Sequence, residues 1–135
     1  MNLEGIIIME IEEINIPLIS LKWQRWYSWD DLKVNALQSG IHIPESKGVY
    51  EVRKDNDDKR LTIGRATVLR DRIKKNLLRG VSHSEGERII ATEKDTSRLF
   101  VRWAETNRPC AVEEELHRRY LERFGELPLY AKQTC

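Results

Sequence analysis

The period of apolar and polar positions changes several times along the chain, and each change marks an expected element. "GVYEVRK" (48–54) and "RLTIG" (60–64) are β-rich runs on either side of the Asn/Asp-rich "DNDDK", which predicts a hairpin. "ATVLRDRIKKNLLRG" then places Ala66, Leu69, Ile73 and Leu77 at helical spacing and stops at Gly80. A second short helix is expected within 84–94. "RLFVRWAE" returns to alternation, Leu99, Val101 and Trp103 against Phe100 and Arg102, as in a strand half buried on one face. Pro109 suits the first turn of a last helix, and Gly125 its end.

Residues 1–46 read as an extension packed on a main domain of residues 47–135. "IIIMEIEEINIPLISLKW" is β-branched and broken by Pro17, and Met9 is a second candidate start. "SWDDLKVNALQSG" predicts a short helix with Ser28 as N-cap, Asp31 three positions on and Gly40 as its stop. Between them "KWQRWYSW" interleaves aromatics with Lys22 and Arg25. Such a cluster either stacks on unpaired bases or packs the extension onto the domain, and packing is the favoured reading because aromatics carry much of a small core. The element order, strand, strand, helix, helix, strand, helix, points to an α+β fold with a small antiparallel sheet.

Composition narrows the class. The 135 residues, 40% hydrophobic and 33% charged, suit one compact domain. With 23 basic and 22 acidic residues and a net charge of +1, a nucleic-acid partner would have to be met by a local patch. Ile6-Ile7-Ile8 is far short of a membrane span, so no membrane partner is expected and a cytoplasmic location is. Neither Cys110 nor Cys135 belongs to a Cys/His cluster, which argues against a zinc site and a disulfide framework.

Helical phase singles out one acid. At about 100° per residue, with Val112 at zero, Leu116 falls near about 40°, Tyr120 near about 80° and Phe124 near about 120°. Glu113 falls inside that apolar stripe, whereas Glu114 and Glu115 point away. A carboxylate on a buried face is costly unless paired, hydrogen-bonded or bound to metal. Two readings therefore stand: an ion pair with an arginine or His117 at the core's edge, or a chemical role.

A local basic patch is also present. Arg65, Arg70, Arg72, Lys74, Lys75 and Arg79 face one acid, Asp71, in a nearly neutral protein. Phosphate contact and a merely solvated face are the alternatives. Arg72 flanks the Leu69/Ile73/Leu77 stripe, where a half-buried guanidinium would be fixed in direction for bidentate contact with phosphate.

"Gly48-Val49-Tyr50", then "Thr62-Ile63-Gly64", an arginine ten residues after Thr62, and "Ala-Val-Glu" opening a late helix together resemble the GIY-YIG nuclease domain over about residues 48–131. The resemblance implies a three-stranded antiparallel sheet flanked by helices, and a DNA phosphodiesterase using one Mg²⁺ or Mn²⁺ ion. It implies that Glu113 ligates the metal, Arg72 steadies the scissile phosphate and Tyr50 helps position or activate the attacking water. Gly64, Arg65, Arg70, Lys74, Lys75 and Arg79 would lie along the nucleic acid.

The chain departs from the pattern twice. Thr62 stands where the second motif carries a tyrosine, and Ala131 where the family often has an asparagine. Thr62 is left a supporting place, His83 is a candidate substitute for the missing phenol, and His117 is a candidate hydrogen-bond partner of Glu113. These departures motivate the alternative of a weak or inactive module that binds nucleic acid or a partner protein. A plain interaction domain, with Glu113 and Arg72 purely structural, is the third reading.

Overall fold

The computed structural model describes residues 11–14, 18–35, 41–81 and 84–131. The expected hairpin forms from β2 (Gly48–Lys54) and β3 (Thr62–Ala66), with Asn56 taking a positive φ of 59° in the turn between them. Asn tolerates that left-handed conformation better than most residues. The third expected strand, β4 (Leu99–Glu105), pairs antiparallel with the other side of β2, Val52 facing Val101 and Tyr50 facing Trp103. β2 is therefore central, and its first five residues are all buried.

The sheet has four strands, not three. The additional strand, β1 (Tyr27–Ser28), comes from the extension and pairs with β4, giving the order β1-β4-β2-β3. Its cause is aromatic packing as much as the ladder. The Tyr27 ring stacks on Trp103 with centroids 5.0 Å apart, and the Gln24 N–H donates to the Trp103 carbonyl at 2.9 Å. Ser28 then takes its expected place at the head of α1 (Trp29–Asn35), accepting weakly from the Asp31 N–H at 3.4 Å. The expected stop at Gly40 lies outside the described residues.

Each face of the sheet has its own cover. On one, Tyr50, Val52, Val101 and Trp103 pack with Trp29 and Leu32 of α1 and with Leu69, Ile73 and Leu77. Those last three belong to α2, which is α-helical at Leu69–Asp71 and continues with π-type bonding over Arg72–Leu78, as when the Arg79 N–H donates to the Lys74 carbonyl at 3.0 Å. On the other face, Val49 and Ala104 meet Val112 of α4 (Pro109–Phe124), with Leu21, Trp23 and Leu116 beside them. α4 begins at Pro109 and ends at Gly125 (φ 75°), as its sequence signals require.

The tryptophans of the extension are spent on packing. Glu51, 4% exposed, accepts from Arg102 at 2.6 Å and lies 3.0 Å from the Arg60 Nε. The Arg102 guanidinium lies 4.4 Å from the Trp23 ring and 4.5 Å from the Trp26 ring, and Arg53 lies 4.3 Å from Trp26. A buried carboxylate needs such partners, and the indoles shield them from water. Cys110, at the second position of α4, is disulfide-bonded, against the expectation from its spacing; pairing depends on which segments meet in space. The chain's other cysteine, Cys135, lies outside the described residues. Among the described residues no helix is long and apolar enough to cross a membrane.

The second short helix, α3 (Glu85–Glu93), packs closely on α2. Ser84 caps it, its hydroxyl accepting from the Glu87 N–H at 3.1 Å, the backbone half of a capping box. Gly86 sets the approach, because a Cβ there would overlap the carbonyls of Asn76 and Leu77. Gly86→Ala is expected to push α3 off α2 and to destabilise by about 2 kcal/mol or more. Ser84→Ala, which loses only the cap, is expected to cost about 1 kcal/mol. Urea denaturation followed by tryptophan fluorescence checks both.

Candidate functional site

β3 is the last strand of the sheet, and the motif residues gather along it. Thr62 and Gly64 share one face of the strand, Ile63 and Arg65 the other. Gly64 stands opposite Tyr50 of β2. Its missing side chain is what admits the Tyr50 ring, since a Cβ at 64 would overlap the ring and its hydroxyl. Gly48 is constrained in the same way by the Ala104 carbonyl and the Leu69 side chain. Both motif glycines thus have a packing cause in this chain, and Gly64 serves Tyr50 rather than an open contact surface.

Tyr50 is 2% exposed, and its hydroxyl donates to Glu85 Oε2 at 2.7 Å. Thr62, fully buried, donates its hydroxyl to the other oxygen of the same carboxylate at 3.1 Å. Glu85 is half-buried at the first position of α3. Burial first, and then Glu85, raise the Tyr50 phenol well above its ordinary value, so it is a firmly protonated donor. Arg72 opposes that shift and Glu113 adds to it, so both lie within electrostatic reach of the phenol.

Glu113 is buried as its helical phase requires, 4% exposed. Its Oε1 accepts from Arg65 Nη1 at 2.9 Å, the arginine of β3 that points to the α4 side of the sheet. Burial raises the Glu113 carboxyl, and Arg65 and then His117 pull it back. His117 does not take the expected place: its Nε2 hydrogen-bonds the Ile63 carbonyl at 2.8 Å, fastening α4 to β3 instead of bonding Glu113. The strand's own carbonyl is nearer to hand, and a buried imidazole needs a partner.

Arg72 differs from expectation in exposure. It is exposed, not half buried, because its long stem carries the guanidinium from beside Ile73 out to water. Among the described residues the side chains of Arg72, Lys74 and Arg79 make no ion pair or hydrogen bond, whereas Lys75 lies 4.0 Å from Asp71. Arg70 is committed elsewhere: its Nε donates to the Ile43 carbonyl at 3.2 Å and its Nη1 pairs with Glu45, tying the 43–46 segment to α2. The basic run is therefore not uniform. Arg65 and Arg70 hold protein groups, and three cations remain uncommitted.

The two departures also have places. Thr62 sits on the same carboxylate as Tyr50, so the motif's second position still belongs to the cluster. Ala131 follows Tyr130, whose hydroxyl bonds Glu93 at 3.3 Å at the far end of α3. Helical rise puts that end about 12 Å from Glu85, so Ala131 takes nothing from the cluster around Tyr50. His83 lies outside the described residues.

Glu85 is the residue that the sequence did not disclose. In "SHSEGE" the capping signal runs from Ser84 to Glu87, and an acid at the first helical position looks like an ordinary partner of the helix dipole. Only the approach of α3 to β2 and β3 gives it two donors. Among the described residues there is no group of three or more His, Cys, Asp or Glu side chains able to hold a metal ion between them. Comparison of the chain with family models, with curated proteins and with solved structures gives no match.

Proposed function

We propose that this protein is a small metal-dependent endonuclease of GIY-YIG type acting on DNA. The observation that carries the reading is the gathering of Tyr50, Thr62 and Gly64 from both motifs with an uncommitted Arg72 and a buried Glu113 around the edge strand. Sequence distance alone does not require these residues to meet. An exposed guanidinium with no protein partner is suited to a phosphate oxygen, and Lys74 and Arg79 extend the positive charge along the same helix.

The donor set fits a loosely held hard cation. Glu113 gives Oε1 to Arg65, which leaves its second oxygen for a divalent ion whose other positions would be water and substrate phosphate. When bound, such an ion supplies charge neutralisation at the leaving oxygen. The chain's own contributions are distinct from it. Arg72 holds the phosphate and stabilises its developing charge, and Tyr50 holds its carboxylate neighbour in place. The Cys110 disulfide pulls against a reducing compartment such as the cytoplasm.

A second reading is a module that binds nucleic acid without cutting it. It is favoured by the burial of Tyr50 and by the Arg65–Glu113 pair, each of which is explained by folding alone. Incubation with single-stranded, duplex and branched DNA and with RNA, with and without Mg²⁺ or Mn²⁺, separates the two. Cleavage of DNA with metal is expected, and Arg72→Ala is expected to slow it about 10²- to 10³-fold with the fold intact. Glu113→Gln is expected to abolish it. Salt-sensitive binding with no cleavage under any metal would select the non-cutting module.

Binding itself is expected to weaken with salt with a log–log slope of about −3 for three phosphate contacts, and Arg72→Ala to reduce that slope by about 1. Stability carries a further signature. A carboxyl raised in the folded state contributes stability that is present below the unfolded pKa and lost as pH rises through the folded one. Compared with Glu113→Gln, the wild type should therefore gain relative stability as pH falls from neutral to about 4. Urea titrations of both proteins across that range check the sign.

A further inference from the structure

We infer that Glu85 is the general base of the site, taking the proton of the attacking water, while Tyr50 and Thr62 are the donors that aim its carboxylate. The inference rests on the nuclease reading. Three features of the geometry point to it. Both carboxylate oxygens of Glu85 are held from one side, Oε2 by Tyr50 at 2.7 Å and Oε1 by Thr62 at 3.1 Å. A carboxylate has about four acceptor positions, so each oxygen keeps one for a water. Glu85 is half-buried where Tyr50 is closed off, so the carboxylate and not the phenol is the group that water reaches.

The closed phenol is a poor base for a second reason. It already donates its proton to Glu85, and burial together with Glu85 outweighs Arg72 in favouring the neutral form. The chain places Thr62 where a phenol would stand, and the hydroxyl spends its proton on the same carboxylate. Both motif hydroxyls thus serve one acceptor. That acceptor is fixed by two short-range devices, the Ser84 cap and the close approach of Gly86 to the carbonyls of α2.

The step balances without a redox partner. A water O–H breaks, its proton going to Glu85, as the water oxygen bonds phosphorus. The P–O bond to the leaving group breaks with its electron pair on that oxygen, which takes a proton from solvent. Glu85 then returns its proton to solvent, and the products are a phosphomonoester and an alcohol. Among the described residues Tyr50 from β2 and Glu113, paired with Arg65, from α4 act on Glu85, and Arg72 from α2 lies within electrostatic reach of Tyr50.

The test uses the full chain with Mn²⁺ and whichever DNA the wild type cuts. Glu85→Gln keeps an acceptor for Tyr50 and is expected to lower kcat about 10²- to 10⁴-fold, with KM little changed and the acid limb of the kcat–pH profile gone. Glu85→Ala is expected to regain part of its rate with added formate, which a loss of packing would not permit. Glu85→Asp should keep the acid limb at reduced rate. Wild-type kcat in Glu85→Gln, or a retained acid limb together with no formate rescue in Glu85→Ala, would overturn the assignment while leaving the nuclease reading in place. A wild type that cuts no substrate overturns both.

Discussion

The structure turns on a single carboxylate shared between two strands. Glu85 reaches the sheet from the first turn of α3 and accepts from Tyr50 of β2 and Thr62 of β3. A half-buried carboxylate that lost either donor would leave a polar group short of partners, at a cost of about 1–3 kcal/mol. Everything that fixes α3 therefore also fixes the cluster. Gly86 permits the approach to α2, Ser84 sets the start of the helix, and Arg88 ties its middle to the Tyr130 carbonyl at 3.2 Å. The Tyr50 ring in turn needs the bare backbone of Gly64.

Among the described residues Glu51, Glu85 and Glu113 are inward acids whose surroundings give them different work. Glu51 is held beneath two tryptophans by two arginines, Arg102 and Arg60, which both approach its Oε1. Glu113 has Arg65 on one oxygen, and burial still raises its carboxyl. Glu85 has two neutral donors and an uncommitted arginine in electrostatic reach of the phenol that it binds. Pairing with two arginines suits a structural role, as for Glu51. Unsaturated carboxylates next to an unpaired guanidinium suit chemistry on an anionic substrate.

Much of the frame was legible because its causes are local. The DNDDK turn, the alternation of Leu99, Val101 and Trp103, and Pro109 and Gly125 at the ends of α4 each act within a few residues. Glu113 was legible for the same reason, since helical phase depends only on its neighbours. The fourth strand was not, because two residues of β1 carry no pattern of their own and join the sheet through Tyr27 stacking on Trp103. His117 and Arg72 were misread in detail. Phase gives the side of a helix, but not which carbonyl lies opposite it or how far a long stem extends to water.

The sequence by itself determined the α+β order, the hairpin, the strand that follows it, the helices and the inward face of Glu113. These follow from periodicity, capping and the steric demands of single residues. Tertiary structure alone decided that Glu85 meets Tyr50 and Thr62, that Arg65 and not His117 pairs with Glu113, and that, among the described residues, Arg72, Lys74 and Arg79 keep their charges uncommitted. Those outcomes depend on groups tens of residues apart coming within hydrogen-bonding distance, and no local pattern encodes that distance.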